Sequence, residues 1–356
     1  TALGARLGPG RVMADVVMTD DGIAFDGTTP ARAPLGGAEA AFLTLAEALA
    51  ARGHRVFARN RCAAPLTYSG VDWAPLERGL PPSCDLYIAN RGHRLIGLGA
   101  PRRRRLFWIH NPGTYLRKWR YARELWRHRP VIVTSGAYHA RSVPGWLPSG
   151  GRVVIPYALE EEFRHAPPLT EPPPPRAIFT SNPLRGLDWL LNLLERRIHP
   201  AVPQAELHLY CGPDVYGAAG ARKSEAMNAV LSRAEAMAAA GVRRFAPLQR
   251  GKLIPALRGA RIMLYRGDPG ETFCRAVAEA QALGVPAVVQ PIGALAERIV
   301  DGVTGFLAAD DAAFAQHAIA LLSDDPLWRR QHEAALSLQR GLGPDEVAQL
   351  FEAFLQ

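Results

Sequence analysis

Two glutamates and an arginine are the residues of this sequence best placed to do chemistry. Glu271 and Glu279 are eight residues apart in the segment ETFCRAVAE. On a helix of ~3.6 residues per turn, that spacing brings both carboxylates to one face. Such a face suits hydrogen bonds to sugar hydroxyls. Arg185, in the segment TSNPLRGLD, precedes another predicted helix, where its cation opposes the helix dipole and instead suits an anionic ligand.

The segment that begins at Glu271 lies between a predicted strand and a predicted helix. An apolar run ends at Leu264, a loop of Gly, Asp and Pro follows, and a helical pattern continues from Thr272–Cys274 to Gly284. The first turn of a helix has backbone N–H groups without intrahelical partners and the positive end of the dipole. This position therefore favours an anion such as a nucleotide diphosphate.

Strand-like and helix-like patterns alternate along most of the chain. The first half runs from a predicted strand at Arg11–Met18, through a helix at Gly37–Arg52, to a strand at Val153–Ile155. The second half repeats the rhythm from Ala177 onward. This alternation predicts an α/β protein with two Rossmann-like domains, whose parallel sheets face each other across a cleft. We expect a first domain at 1–163, a proline-rich hinge at 164–176, a second domain at 177–335 and a final helix, 336–356, packed toward the first domain.

Composition indicates a globular protein with free thiols. Of the 356 residues, 48% are apolar and 21% are charged, and the four cysteines lie far apart without a C-x-x-C pair. No apolar run reaches the ~18 residues of a membrane span, and no secretory signal opens the sequence. We therefore expect a cytoplasmic protein, peripheral at most on the inner face of the membrane.

All the excess positive charge lies in the first half of the chain. Residues 1–163 contain 22 Lys and Arg against 13 Asp and Glu, whereas residues 164–356 contain 20 of each kind. Within the first half, Arg102–Arg105 and the segment Tyr115–Arg129 interleave basic and aromatic residues. This pattern fits an anionic membrane surface or an anionic acceptor. A helix that buries its Trp and Leu face and solvates its arginines fits it equally well.

An ordered set of motifs resembles a known family, the GT-B fold retaining glycosyltransferases of family 4 (glycosyl transferases group 1). The family's E-G-F-G-x-x-x-x-E-A segment is similar to Glu271–Ala280, with Thr272 and Cys274 in place of the two glycines. Three more segments match in the same order as in the family: Gly36-Gly37 before the first long helix, Val154–Phe163 before the hinge, and Asp301–Phe306. The resemblance covers most of the chain.

The resemblance implies a role for each candidate site residue. Glu279 would bind the ribose hydroxyls of the donor, and Glu271, with the backbone around Phe273, would bind the transferred sugar and the diphosphate. Arg185 would offset the charge of the leaving diphosphate, and His110, after the predicted strand Leu106–Ile109, would lie near the transferred sugar. The donor-binding set is Gly36, Gly37, Arg185, Pro247, Leu248, Glu271, Thr272, Phe273, Cys274 and Glu279, in which the backbone of Pro247 and Leu248 would receive the nucleobase.

One cation of the family's phosphate site lacks a counterpart. The family segment G-R-x-x-x-x-K-G has two cations, and here Arg185 stands at the second position while Thr180 or Ser181 stands at the first. Arg266 or Lys252 could substitute for the missing cation.

The resemblance implies transfer of a sugar from a nucleotide-sugar donor to a hydroxyl of a glycan or a lipid-linked acceptor, in bacterial cell-surface polysaccharide or glycolipid synthesis. We expect no metal and no cofactor, because the sequence has no D-x-D motif and no His/Cys ligand cluster. A GT-B nucleotide-sugar epimerase and a non-catalytic sugar-nucleotide-binding protein are the alternatives. No nucleic-acid module is recognisable, so no nucleic-acid partner is expected. The absence of G-x-G-x-x-G after a strand argues against a dehydrogenase.

Overall fold

The computed structural model describes residues 13–98, 102–213 and 221–355, with the backbone alone for Arg102 and Arg103. The chain forms two compact units. Unit 1 comprises Thr1–Thr29, Gly37–Ala158 and Leu342–Gln356, and unit 2 comprises Pro30–Gly36 and Leu159–Gly341. The chain therefore passes from unit 1 to unit 2 after Ala158, and the proline-rich segment 164–176 belongs to unit 2.

Unit 1 contains a mostly parallel sheet. Its strands are β1 (Asp15–Asp20), β2 (Arg55–Asn60), β3 (Leu66–Tyr68), β4 (Val71–Pro75), β5 (Cys84–Asn90), β6 (Arg102–Trp108), β7 (Val131–Thr134) and β8 (Gly151–Val154). They lie in the order β3-β4-β2-β1-β5-β6-β7-β8, and among the described residues of this sheet only β3 and β4 pair antiparallel. Because β1, β5 and β6 are parallel neighbours, their carboxyl ends lie at one edge of the sheet.

Unit 2 contains a second, wholly parallel sheet among the described residues. Its strands are β9 (Arg176–Phe179), β10 (Glu206–Tyr210), β11 (Val242–Phe245), β12 (Ile262–Tyr265), β13 (Ala287–Val289) and β14 (Gly305–Leu307). They lie in the order β11-β10-β9-β12-β13-β14. The strands β12 and β13 are buried throughout, which explains their continuous apolar sequences.

Helices follow most of the strands, as the alternating pattern predicts. They are α1 (Thr29–Arg32), α2 (Gly37–Ala51), α3 (His93–Ile96), α4 (Trp119–His128), α5 (Ala137–Arg141), α6 (Glu161–Arg164), α7 (Leu187–Leu193), α8 (His199–Ala201), α9 (Ser224–Ala236), α10 (Arg250–Arg258), α11 (Arg275–Ala282), α12 (Asp311–Ser323), α13 (Asp325–Leu338) and α14 (Pro344–Glu352). Within the described ranges, no helix is both long enough and apolar enough to cross a bilayer.

Aromatic and aliphatic side chains fill the core of unit 1. Phe25, Phe42 and Trp73 form an aromatic cluster in which the rings of Phe25 and Phe42 meet edge to face at 5.5 Å. Edge-to-face contacts of this kind add ~0.5–1.5 kcal/mol to the burial of the rings themselves. The cluster packs α2 against β4, and the chain continues from α2 into β2, which pairs with β1. This packing holds α2 next to the sheet, near the carboxyl end of β1.

The last helix, α14, packs on α2 within unit 1. Phe351 meets the ring of Trp108 edge to face at 5.4 Å, and Glu352 accepts a hydrogen bond from Arg52 Nη2 at 2.7 Å. The chain returns to unit 1 only at Leu342, so the preceding helix α13 belongs to unit 2.

The structure differs from the sequence predictions in three places. The predicted strand Arg11–Met18 begins outside the described residues, and its described part extends to Asp20. The antiparallel pair β3–β4 was not predicted, because a three-residue strand has too few residues to show a period. The predicted final helix at 336–356 is interrupted, since α13 ends at Leu338 and α14 begins at Pro344.

Candidate functional site

Unit 2 brings Arg185 and Glu271 into direct contact. Arg185 Nη1 donates to Glu271 Oε1 at 2.5 Å, and the hydroxyl of Tyr265 donates to the same oxygen at 2.7 Å. The Glu271 side chain is 10% exposed, whereas that of Arg185 is 34% exposed. The arginine thus has donors that still face solvent while it neutralises a nearly buried carboxylate.

Two turns with glycines in left-handed conformations position this pair. Arg185 closes a turn after β9, with its N–H bonded to the Asn182 carbonyl at 2.9 Å, and Gly186 follows with φ of 84°. Glu271 lies in the loop after β12, where its carbonyl accepts from Ala294 N at 3.0 Å. Gly293, with φ of 67°, allows that approach, since a Cβ there would lie 2.9 Å from the Glu271 carbonyl oxygen.

Cys274 stands at the start of α11 in a strained backbone conformation. It is the N-cap residue, with φ of 60° and ψ of 72°, a region that favours glycine. This is one of the two positions at which the resembling family has glycine, so the structure gives a backbone reason for that pattern. Thr272, Phe273 and Cys274 are all buried, and the guanidinium of Arg298 lies 4.4 Å from the centre of the Phe273 ring.

Glu279 is held by an arginine one turn before it on the same helix. Arg275 Nε donates to Glu279 Oε1 at 2.6 Å, and the two side chains are 8% and 11% exposed. Burial raises the pKa of Glu279, and the charge of Arg275 opposes that rise. Arg275 also donates through Nη2 to Glu160, which accepts a further bond from Arg250.

Charge and burial set the protonation states around Glu271. Burial disfavours the charged form of Arg185, but the Glu271 carboxylate outweighs it and raises the arginine pKa further. Burial, and then the charge of Glu271, raises the pKa of Tyr265. Tyr265 therefore stays protonated and donates its hydrogen bond at any physiological pH.

The remaining predicted donor residues lie on loops of unit 2 and at the start of α2. Pro247 and Leu248 follow β11 and are half-buried. Gly36 is half-buried and precedes Gly37, the first residue of α2 in unit 1. Of the two suggested substitutes for the missing cation, Lys252 is exposed on α10. Arg266 lies beside Gly186, with its guanidinium 5.3 Å from the centre of the Trp189 ring.

In unit 1, His110 belongs to a chain of buried hydrogen bonds at the carboxyl ends of β1, β5 and β6. Its Nδ1 lies 2.5 Å from the Tyr157 hydroxyl, and its Nε2 bonds to Asn90 Oδ1. Asn90 Nδ2 donates to Asp20 Oδ2 at 2.5 Å. Since the amide oxygen only accepts, Nε2 carries the proton and Nδ1 accepts from Tyr157.

The chain of hydrogen bonds continues from Asp20 to an arginine. Arg91 Nη2 lies 2.8 Å from Asp20 and 2.9 Å from Glu39 in the first turn of α2. Burial disfavours the charge of Arg91, but the Glu39 and Asp20 carboxylates outweigh it and raise its pKa. Burial first, and then the charge of Arg91, lowers the pKa of His110 well below its usual range, so His110 is neutral at neutral pH.

Sequence reasoning missed the partners of the residues it selected. Tyr265 bonds to Glu271 from the end of the preceding strand, whereas Asp20 and Glu160 reach His110 and Glu279 through Asn90 and Arg275, respectively. Arg91 joins through Asp20. The contacts of Asp20 and Glu160 link segments that are far apart in the sequence. Arg275 alone was detectable, since Arg and Glu four residues apart on a predicted helix form a recognisable pair.

The basic segment around α4 exposes its tryptophans. Trp119 is 77% exposed and Trp126 is 69% exposed, whereas Leu125 between them is fully buried. The interpretation in which this helix buries its Trp face is therefore wrong. Both tryptophans share the surface with exposed basic side chains, namely Arg117, Lys118, Arg120, Arg123, Arg127 and Arg129.

Comparison with known proteins gives one family match within unit 2. Residues 175–324, 150 of the 356 residues, match the family model described as glycosyl transferases group 1. A stretch of 104 residues is 35% identical to D-inositol 3-phosphate glycosyltransferase of Xylanimonas cellulosilytica, and it covers 29% of this chain and 25% of that relative. The matched stretch thus spans a quarter of the relative's length.

Solved structures with the same fold cover nearly the whole chain. Sucrose-phosphate synthase from Thermosynechococcus elongatus superposes with a TM-score of 0.73 at 15% identity, over 95% of this chain and 97% of that one. HepE of Anabaena, solved with UDP and glucose, gives a TM-score of 0.70 at 14% identity, over 96% and 99%. The chain has two α/β units, each built on a sheet of mainly parallel strands, and it superposes on these structures over nearly its whole length. Together these observations establish the GT-B fold and confirm the fold class expected from the sequence.

Proposed function

We propose that this protein is a retaining glycosyltransferase of family 4 that moves a sugar from a nucleotide-sugar donor to a hydroxyl of a glycan or lipid-linked acceptor. The observation that supports this most directly is the Arg185–Glu271 pair, in which a partly exposed guanidinium lies beside a nearly buried carboxylate. Glu279 lies on the helix that Glu271 precedes. A cation for a diphosphate and two carboxylates for hydroxyls are the groups that a sugar nucleotide requires.

In the proposed reaction, the acceptor hydroxyl attacks the anomeric carbon from the side of the leaving group. The bond from that carbon to the diphosphate oxygen breaks, and a phosphate oxygen takes the proton of the attacking hydroxyl. Arg185 stabilises the charge that develops on the diphosphate, a type of contribution that amounts to ~3–4 kcal/mol per donor. An arginine in this role supports transfer without a metal or other cofactor, so activity should persist when EDTA is present.

The acceptor side is assigned to unit 1. Neutral His110 lies at the carboxyl ends of β1, β5 and β6, the edge at which parallel sheets bind ligands. Asp21, whose pKa is raised by burial and then by the charge of Asp20, follows β1 at the same edge. Hydroxyl-rich acceptors suit such neutral or weakly acidic groups.

A screen of nucleotide sugars tests the proposal. UDP-, GDP-, ADP- and dTDP-sugars are each added at 100 times the expected dissociation constant, with UDP-glucose first because the HepE neighbour was solved with UDP. Binding of one should stabilise the protein by ~2.7 kcal/mol, and slow donor hydrolysis should follow. If no nucleotide sugar stabilises the protein, the proposal fails. Release of a sugar with inverted C2 would instead identify an epimerase.

We also propose that the basic surface around Trp119 and Trp126 rests on anionic lipid, at the inner face of the cytoplasmic membrane. Exposed tryptophans among arginines are typical of interfacial helices, and each Lys or Arg near such a surface contributes ~1 kcal/mol. Vesicles of phosphatidylglycerol should bind the protein and release it at high salt. The double variant Trp119→Ala/Trp126→Ala should lose this binding. A wild-type protein that does not bind these vesicles would refute the membrane role in favour of an anionic glycan, and unchanged binding of the double variant would refute the role of the two tryptophans.

A further inference from the structure

A buried network of two arginines and two glutamates lies beside the candidate donor residues of unit 2. Arg250 and Arg275 each donate to Glu160, on Oε1 and Oε2 respectively, and Arg275 also donates to Glu279 Oε1 at 2.6 Å. We call these four residues the α11 network. The side chains of Arg275 and Glu160 are each 8% exposed, so their charges are almost wholly removed from water.

Burying charges of this kind disfavours folding unless each charge is paired. Within the network two positive and two negative side chains compensate one another, and each guanidinium contacts at least one carboxylate. Apolar side chains would fill the same space with no desolvation cost. The network therefore suggests a role other than stabilising the fold. Its position beside the candidate donor residues indicates a role in binding the donor.

The network fixes the Glu279 carboxylate from one side only. Arg275 Nε bonds to Oε1, whereas Oε2 accepts no hydrogen bond from the described residues. Arg275 itself cannot swing away from Glu279, because Glu160 holds its Nη2. Glu279 thus presents Oε2 in a fixed orientation, as a hydrogen-bond acceptor for hydroxyl groups requires.

The network also reaches the loop assigned to the nucleobase. Arg250 is the first residue of α10 and follows the loop that contains Pro247 and Leu248. Since Glu160 bonds to Arg250 and Arg275 together, one carboxylate ties the start of α10 to the helix that contains Glu279. The distance between the base-binding loop and the ribose-binding carboxylate is thereby set within unit 2.

We infer that Arg275 is a positioning residue for nucleoside recognition: anchored by Glu160, it orients Glu279 toward the ribose hydroxyls of the donor. This inference rests on the proposed function. Arg275 is not a substitute for the missing phosphate cation, because two carboxylates already balance its charge. Arg275 acts through Glu279 and touches no substrate.

The test compares the affinity of ribose and 2′,3′-dideoxyribose nucleotides, with UDP, GDP and ADP and their dideoxy forms as probes in calorimetry. The wild-type protein should prefer the ribose form of the cognate nucleotide by ~10–100-fold, the loss expected for hydrogen bonds to a charged group. Arg275→Lys keeps the charge but replaces the separate Nε and Nη2 donors, which bond to Glu279 and Glu160, with a single flexible ammonium. Its preference should fall to within about threefold, while its affinity for the dideoxy form stays unchanged.

Two further variants separate positioning from simple loss of structure. Glu160→Gln leaves Arg275 and α11 intact and should lower the preference to an intermediate value. Glu279→Gln should abolish the preference, and the double variant Arg275→Lys/Glu279→Gln should be no worse than Glu279→Gln alone. Arg261→Lys is the matched control, because Arg261 is equally buried in unit 2 but bonds to the Leu321 carbonyl and Asp325; its preference should match the wild type.

The outcomes are distinguishable. If Glu279→Gln loses the preference but both Arg275→Lys and Glu160→Gln keep it, Arg275 does not position Glu279 and the inference is overturned. If Glu279→Gln itself keeps the preference, or if the wild-type protein binds no nucleotide, the proposed donor site fails and the inference fails with it. Equal loss of preference in Arg261→Lys would identify a general effect of destabilising unit 2, which also overturns the inference.

Discussion

Glu271 and Glu279, at the two ends of the segment 271–279, each bond to an arginine, and the two pairs differ in how exposed the arginine is. Arg185 and Glu271 meet at 2.5 Å, and Arg275 and Glu279 meet at 2.6 Å. The side chain of Arg185 is 34% exposed, whereas that of Arg275 is 8% exposed. Similar distances therefore conceal different capacities: the first arginine can still receive an anion, and the second is committed to its neighbours.

The largest expected effect concerns the buried pair. Arg275→Met should lower the free energy of unfolding by about 3–5 kcal/mol, because two carboxylates would lose their shared buried cation. Arg185→Met should lower it by less, because only one carboxylate loses its cation there and Tyr265 still donates to that carboxylate. Urea unfolding followed by circular dichroism measures both. Equal losses would show that exposure does not distinguish the pairs.

The second effect reverses the ranking when activity is measured. Arg185→Ala should lower kcat about 10²–10³-fold, because the leaving diphosphate loses a charge-stabilising donor. Initial rates with the donor found in the screen measure this loss. Arg233→Ala is the matched control: Arg233 Nη1 lies 2.5 Å from Asp188 at a similar exposure of 32%, yet outside the candidate site. A wild-type rate for Arg185→Ala, or an equal loss for the control, would contradict the assigned role.

Much of this comparison was accessible from the sequence. Arg185 and Glu271 were selected because each stands just before a predicted helix, and the start of a helix favours an anionic ligand. Glu279 was selected by its spacing from Glu271. The alternation of apolar runs and amphipathic segments was sufficient to predict two parallel α/β sheets, which β1–β14 confirm.

Other features could not be predicted because they depend on contacts between residues far apart in the chain. Glu160 and Arg275 are separated by 115 positions, and the only sign of Glu160 was its place in a motif before the hinge. The left-handed backbone of Cys274 was not predicted either, since a cysteine in a helical pattern does not indicate it and only the glycine of the similar family at this position hinted at it. The spacing of residues predicts which side chains share a face of one helix or strand, whereas these features depend on how distant elements pack together.

A third effect contrasts the charged site of unit 2 with the neutral histidines of unit 1. Burial lowers the pKa of His139 to about 4, so the folded protein keeps this side chain neutral where the unfolded chain, with a pKa near 6.5, takes up a proton. The contribution to stability is present above pH 6.5 and is lost as the pH falls toward 4, by up to about 1.4 kcal/mol per pH unit.

Unfolding free energies at pH 7, 6 and 5 measure this dependence on pH. His139→Gln should flatten the slope by that amount, whatever its effect at pH 7. His165→Gln is the control for replacing a histidine, because the side chain of His165 is 71% exposed. A slope that persists in His139→Gln would place the titration elsewhere.

The smallest effect concerns the start of α11, between the two pairs. With φ of 60° at Cys274, Cys274→Gly should be more stable than Cys274→Ala by about 1 kcal/mol, because alanine retains the left-handed strain. Glycine is ordinarily the less stable of the two in a helix, so the order is diagnostic. Thermal unfolding of the two variants decides it, and an alanine variant that melts higher would contradict the backbone conformation described here.

The central claim is that unit 2 binds a sugar nucleotide through Arg185, Glu271 and Glu279. Calorimetric titration of the cognate nucleotide sugar into the wild type, Arg185→Ala and Glu279→Gln tests it most directly. The account predicts one tightly bound nucleotide sugar and a loss of at least about tenfold in affinity for each variant, as expected when a charged hydrogen-bond partner is removed. A nucleotide sugar that binds all three proteins equally well, or none that binds the wild type, would contradict it.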